Sequence, residues 1–344
     1  FVKFLMKLIQ LIPIIIVGFF LINYLLNKFN FLLDSKKSSF HKSFIEKDTK
    51  PAFSGGIFIL LSLTLLIPGN QVNFKIIIFL IFMSGFLSDI GILNSANLRF
   101  IIQVFLVVLS IIILEQYIQS TRLYFMDNLL SNHYFNLFFT SFCILVLING
   151  TNFIDGLNTI VTGYYLLILF FIFNFYNLSN NYLLDYQFII YFSAVLTSIL
   201  ILNAANLLYL GDNGAYLISF FIGLLLIDLS SHTKSLSPYY IINLLWYPAF
   251  ENLFSIIRKV KSNKSPLKPD NLHLHQLIYQ FIKKKIKFNP KITNTISGLT
   301  INLFNFLVFF AATSYYSNTK VQVMILLISL TIYNFVYIIL RKNK

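Results

Sequence analysis

Asn149-Gly150-Thr151-Asn152-Phe153-Ile154-Asp155-Gly156-Leu157 is a polar island between two apolar runs, 134–148 and 159–176. Both runs read as membrane spans. A carboxylate at the centre of a bilayer costs roughly 2.5–3.5 kcal/mol on insertion scales, so this island belongs at a membrane–water boundary. There its amides and carboxylate can hold a metal or a phosphate, and its glycines let the backbone come close. A second island, Leu210-Gly211-Asp212-Asn213-Gly214-Ala215, repeats the arrangement about one hairpin of spans later. The pair points to an enzyme that works at the face of a membrane.

Composition agrees. Of 344 residues 57% are hydrophobic and 11% charged, and the mean hydropathy is +0.77. A soluble domain would carry about a quarter charged residues. The expected fold is therefore all-α, a polytopic transmembrane helix bundle forming one domain over 1–344. Apolar runs fall at 4–26, 54–68, 75–89, 99–118, 134–149, 159–176, 187–203, 215–229, 239–257, 292–313 and 321–340, which gives ten to eleven spans. The single Cys143 lies inside one of these runs, so neither a disulfide framework nor a cysteine metal site is available.

Lysine and arginine set the orientation. Segments 27–53 and 258–291 and the tail at Arg341, Lys342 and Lys344 are basic, whereas the alternate loops hold Arg122, Lys234 and Lys320. The positive-inside rule places the amino terminus outside, the carboxyl terminus in the cytoplasm, and both islands on the cytoplasmic side. Lys3 and Lys7 argue the other way, and the first run is kept as a span because it is too long for a signal peptide and no small-residue cleavage site follows. Cytoplasmic loops 27–53, 90–98, 150–158, 204–214 and 258–291 then form the active face. Topology and attraction to anionic headgroups account for most of the net charge of +14. Nothing resembles a nucleic-acid-binding module, so nucleic acid is excluded as a partner. Asp127, Asn180 and Asp185 fall on the outer side and read as loop.

Three more features share the cytoplasmic side. Lys50-Pro51-Ala52-Phe53-Ser54-Gly55-Gly56 opens the second span, and Gly85-Phe86-Leu87-Ser88-Asp89-Ile90 closes the third. The last loop carries Ser265-Pro266-Leu267-Lys268-Pro269-Asp270-Asn271-Leu272-His273-Leu274-His275-Gln276. Pro266 and Pro269 exclude a helix up to about Asp270, and the segment reads as extended. In a strand-like run His273 and His275 would face one way. A metal site there would need further ligands, whereas anion binding needs only imidazole donors with lysines such as Lys268 nearby.

With these motifs in order, the chain resembles the polyprenyl-phosphate N-acetylhexosamine-1-phosphate transferases, glycosyltransferase family 4. It is most similar to the bacterial branch that starts O-antigen, enterobacterial common antigen or teichoic-acid linkage units. The resemblance runs from about Asp34 to Gln276. It rests on Pro51, Gly55 and Gly56; on Asn149, Asn152, Asp155 and Gly156; on Gly211, Asp212 and Gly214; and on Ser265, Pro266, Pro269, Asp270, His273 and His275. It departs from the family at Ser88, where the first aspartate of a pair is usual, at Asn271 and at Gln276.

The resemblance implies transfer of a sugar-1-phosphate, GlcNAc-1-phosphate by default, from a UDP-sugar to polyprenyl phosphate, releasing UMP, in the bacterial cytoplasmic (inner) membrane. It implies Mg2+, with Mn2+ as a substitute, held by Asp212 and Asn152. Asp89, Asp155 and Asp212 are the candidate catalytic residues, and Asn149, Asn152, Gly156, His273, His275 and Lys268 the candidate substrate-binding ones. Asp155 is open to two roles, orienting the sugar or a metal-bound water, and Asp89 to two, guiding the lipid phosphate or acting as a base. A homodimer is compatible with the reading. Two rivals stand beside it. An inactive relative kept as a scaffold is favoured only by Ser88. A transporter would need inverted repeats and midplane charges; no repeat is evident, although Glu251 lies within a span and Glu115 and Asp228 near outer ends.

Overall fold

The computed structural model describes residues 2–29, 53–176, 184–263, 265, 271–286 and 288–342. Among these residues there are thirteen helices and no strand: α1 (Val2–Lys28), α2 (Gly55–Leu66), α3 (Val72–Asp89), α4 (Ala96–Leu114), α5 (Tyr124–Leu130), α6 (His133–Ile154), α7 (Ile160–Tyr176), α8 (Tyr186–Ala204), α9 (Gly211–His232), α10 (Pro238–Lys261), α11 (Leu274–Ile286), α12 (Pro290–Ser314) and α13 (Thr319–Lys342). Each of the eleven apolar runs is a helix. Eight helices are long and apolar enough to cross a membrane, and α2 and α7 are shorter apolar helices. The protein is a polytopic helical bundle.

Backbone groups in hydrocarbon must be satisfied internally, which is why every apolar run closes its own hydrogen bonds as a helix. Several helix starts are capped by short polar side chains. Asn132 accepts from the Phe135 N–H, Asp185 from Phe188, and Asn289, ahead of Pro290, from Lys291. The most enclosed helix is α9, which is buried along nearly its whole length and packs on α2, α3, α6 and α7. Helix α2 has only 12 residues, about 18 Å at 1.5 Å per residue, too short for a bilayer core of about 30 Å. Its first turn, with Ser54, Gly55 and Gly56 all buried, therefore starts below the surface of the bundle.

The antiparallel order brings alternate connections to one end. There the Gly55 N–H donates to the Tyr209 carbonyl, Asp89 meets the start of α9, and Asn158 meets Asn294 of α12. At the other end Arg122 donates to the carbonyls of Lys234, Ser235, Leu236 and Ser317, tying three connections together.

The structure corrects the sequence reading in three places. Asp127 lies in the seven-residue α5 rather than in a loop, while Asp185 caps α8 and Asn180 lies outside the described residues. The polar islands are largely helical: α6 runs through Asn149 and Asn152 to Ile154, and α9 begins at Gly211. The histidine segment is not extended to Gln276, because α11 starts at Leu274 and carries His275 in its first turn. The Gln276 side-chain carbonyl accepts from the His273 N–H, so the local residues supply a helix start that overrides the extended tendency of the prolines before it.

Candidate active site

The first cluster is built on the start of α9. That helix has no side-chain cap of its own, and its leading N–H groups need acceptors. Asp89, the last residue of α3, supplies them. Its Oδ1 accepts the Asp212 N–H at 3.0 Å and its Oδ2 the Asn213 N–H at 2.9 Å. The glycines allow this approach. Gly211 has φ +76°, and a Cβ on it would lie 2.8 Å from Asp89 Oδ2. A Cβ on Gly85 would lie 2.5 Å from the Asn213 Cα, and one on Gly56 would strike the Asn213 side chain. The glycine-rich motifs thus serve to seat the first turn of α9 between α2 and α3.

Asp212 stands on that turn. Its Oδ2 accepts from the Ser88 hydroxyl at 2.7 Å and pairs with Arg99 Nη1 at 3.2 Å, and the same Nη1 donates to Ser88 Oγ at 2.7 Å. The Arg99 side chain is 29% exposed and that of Asp212 12%, so the pair sits at the rim of the bundle. Arg99 was not singled out in the sequence. The signal available was a lone cation at the start of an apolar run on the motif side.

The second cluster is the end of α6. Asn149 donates to Gln103 Oε1 of α4 at 3.2 Å and to the Leu145 carbonyl at 2.9 Å, which turns it toward α4. Asn152 is half-buried one turn later. Asp155 ends the helix, and the loop after it is stitched to its neighbours by asparagines that the motifs did not include. The Asn158 N–H donates to Asn294 Oδ1 at 2.6 Å, the Thr159 N–H to Asn203 Oδ1 at 2.6 Å, and Asn302 Nδ2 to the Thr159 carbonyl at 2.8 Å. A small cleft, open to solvent, is lined by Asp155, Gly156, Leu157, Asn158, Asn203, Tyr209, Leu210 and Asn294. It therefore joins the Asp155 loop to the residues immediately before Asp212.

The histidines close the other side of that loop. A Cβ on Gly156 would lie 2.7 Å from His275 Nε2. The His275 and His273 rings are stacked, centroids 5.5 Å apart with 21° between planes, and His273 lies 5.5 Å from the Phe153 ring. Both imidazoles do face together, although on a helix start. Lys259 Nζ stands 5.5 Å over Phe153, and Arg258 donates to the Leu272 carbonyl and to the Tyr337 hydroxyl. Lys268, Pro266, Pro269 and Asp270 lie outside the described residues, as do Lys36, Lys37, Lys42 and Lys50.

The bundle thus gathers Asp89, Ser88, Arg99 and Asp212 around the first turn of α9, and Asp155, Gly156, His273 and His275 around the end of α6, with the cleft running from Asp155 and Gly156 to Tyr209 and Leu210. Among the described residues no three of His, Cys, Asp and Glu come together as a metal cage. Donors at Asp212 and Asn152 are oxygens, suited to a hard cation that draws its other ligands elsewhere.

Comparison with known proteins adds one finding. Residues 50–230 match the sequence family described as Glycosyl transferase family 4. The matched residues include Gly55, Gly56, Asp89, both islands and Arg99, and end before Glu251, His273 and His275. Among curated proteins no sequence matches the chain.

Proposed function

Because the chain belongs to glycosyl transferase family 4, whose kind of activity is phospho-sugar transfer to polyprenyl phosphate, we propose that it moves N-acetylhexosamine-1-phosphate from a UDP-sugar to undecaprenyl phosphate. In this reaction an oxygen of the lipid phosphate bonds to the β-phosphorus of the UDP-sugar. The bond from that phosphorus to the bridging oxygen breaks, and UMP leaves with the electron pair. GlcNAc is the default sugar.

The observation that carries the reading is the Ser88–Arg99–Asp212 cluster on the first turn of α9, the helix that follows directly on the cleft residues Tyr209 and Leu210. Bringing a phosphate monoester against a diphosphate is chiefly a matter of positioning and neutralising charge. Arg99 and the histidine block offer donors to phosphate oxygens. Asp155, in the same cleft as Asn158, Asn203 and Asn294, is placed to orient the sugar. Asp212, with Asn152, would hold Mg2+, or Mn2+, which when bound neutralises phosphate charge as a Lewis acid. The Asp212 carboxylate at the rim suits such an ion, which commonly takes one or two carboxylates and fills its shell with water and substrate oxygens.

Sidedness supports a cytoplasmic site. The end of the bundle with the cleft carries Lys28, Arg99, Arg258, Lys259, Lys261, Lys283, Lys284, Lys285, Lys291, Arg341 and Lys342, against Lys3, Lys7, Lys75, Arg122, Lys234 and Lys320 at the other end. The test is UMP release from membranes containing the chain, polyprenyl phosphate, magnesium and a panel of UDP-sugars. Release with UDP-GlcNAc or a close relative is expected, abolished by Asp212→Asn. No release with any UDP-sugar would leave the inactive-scaffold reading in place.

A further inference from the structure

We propose that Glu251 and Tyr333 are positioning residues, which lock His273, and through it His275, into one orientation against the Asp155–Gly156 loop. The proposal rests on the transferase reading only for its kinetic consequence.

Glu251 lies inside α10 and has no exposed surface. A carboxylate so placed in a membrane bundle persists only if it is partnered, and such residues usually have work to do. Its two oxygens reach different elements. Oε1 accepts from His273 Nδ1 at 2.9 Å and from the Leu274 N–H at 3.4 Å. Oε2 accepts from the Tyr333 hydroxyl of α13 at 2.6 Å. A carboxylate can only accept, so His273 Nδ1 carries the proton, which fixes the tautomer and the plane of the ring.

The plane of His273 sets the position of His275. The stacked pair spans from the Phe153 ring to the backbone of Gly156, where His275 Nε2 occupies the space a Cβ would need. Neither Glu251 nor Tyr333 lines the cleft; Glu251 reaches the histidine block through His273 Nδ1 and the Leu274 N–H. Tyr333 is itself held by edge-on contacts with Trp246, Phe250 and Phe254, which makes it a rigid anchor. Cations stand around the block, Lys259 over Phe153 and Arg258 on Leu272 and Tyr337. The histidines that this carboxylate holds thus stand among cations, beside the loop where a diphosphate would lie. No part of this relay falls within the residues matched by the family.

The experiment uses purified full-length protein and the variants Glu251→Gln, Tyr333→Phe, His273→Gln and the double variant Glu251→Gln/His273→Gln. One arm needs no substrate: the rate at which diethylpyrocarbonate modifies His273, read by peptide mass. The other arm measures KM and kcat for the UDP-sugar. Losing a hydrogen bond to a charged partner is expected to speed modification and raise KM about tenfold in Glu251→Gln, with kcat nearly kept. Tyr333→Phe, which removes one oxygen, should change both about threefold and keeps the test available if Glu251→Gln does not fold. Glu251→Gln should add nothing to KM once His273 is gone. Equal modification rates in wild type and both variants would overturn the positioning role. So would a KM penalty that persists in the His273→Gln background, since that marks a general packing effect. A wild type without UMP release sinks the transferase reading, while the modification arm still decides the relay.

Discussion

Replacing Asp89 by Asn separates a helix cap from a substrate-binding group. The Asp89 carboxylate accepts two bonds, at 3.0 and 2.9 Å, from the first N–H groups of a helix that has no other side-chain cap. Hydrogen bonds to a charged group contribute about 1.5–3 kcal/mol each. Asn keeps one carbonyl oxygen and turns an NH2 toward the second N–H, so one bond survives in weaker form and the other becomes a donor–donor contact. Removing the charge also forfeits its interaction with the helix dipole, about 0.3–1 kcal/mol. The sum is a loss of roughly 2–4 kcal/mol at the seat of α9. Because Asp212 rides on that turn, turnover should fall at least tenfold together with thermal stability. The assay is a melting curve of detergent-purified protein by intrinsic fluorescence beside UMP release from the same preparation. A midpoint equal to wild type with turnover abolished would refute the capping argument and return Asp89 to direct contact with the lipid phosphate.

Asp212→Asn should cut kcat a hundredfold or more, since several kcal/mol of barrier rest on neutralising the phosphates, while leaving helix content unchanged by circular dichroism; Asn152→Ala should raise the magnesium needed for half-maximal UMP release. Ser88→Asp should be tolerated, with UMP release retained below the wild-type rate, because the new carboxylate would reach Arg99 but share it with Asp212. With Cys143 replaced by Ser, a cysteine placed in 204–214 should resist a membrane-impermeant maleimide in sealed cells and react after permeabilisation; labelling in sealed cells would place the cleft on the outer side. At the opposite end, burial works to raise the Asp127 carboxyl, but hydrogen bonds from the Thr121 N–H, the Thr121 and Ser120 hydroxyls and the Arg122 backbone outweigh it and hold it below its ordinary value of 3.8. A lowered value means the stability it adds is present above that pH and is lost as pH falls through the folded value. Hydrogen exchange of 115–132 should therefore accelerate only in acid, and Asp127→Asn should remove that dependence.

Spans were legible because a long apolar run in a bilayer has no alternative to helix, and alternation along the chain then assigns every motif to one end. What periodicity does not show is where short polar helices form. α5 has seven residues, and α11 begins in a segment whose upstream prolines favour extended chain. Motif spacing identified Asp89, Asp155 and Asp212 but not what each carboxylate touches. Asp89 is separated by more than a hundred residues from the N–H groups it caps, and no local pattern encodes that contact. The asparagines of the cleft are invisible for the same reason: Asn294 and Asn302 come from α12 to hold a loop between α6 and α7. Glu251 stood out only as a charge inside a span, which by itself favours a transporter as much as an enzyme. Its partners, His273 and Tyr333, turn it into a support for the histidine block.

Charge balance explains why a serine suits position 88. Three groups converge where α3, α4 and α9 meet. The Asp89 charge is met by backbone N–H groups at the helix start, so it places little demand on neighbouring cations. The Asp212 charge is met by Arg99, the cation that pairs with it there. A carboxylate at 88 would have to share that guanidinium, and with substrate phosphates arriving at the same rim the cluster would be short of positive charge. A hydroxyl instead donates to Asp212 and accepts from Arg99, each at 2.7 Å, and so fixes their geometry without adding charge. When a phosphate competes for Arg99, Ser88 still holds Asp212 Oδ2 in place. The departure at this position thus leaves Asp212 and Arg99 paired and held by one hydroxyl, which is the arrangement that the proposed transfer calls on in place of a second aspartate.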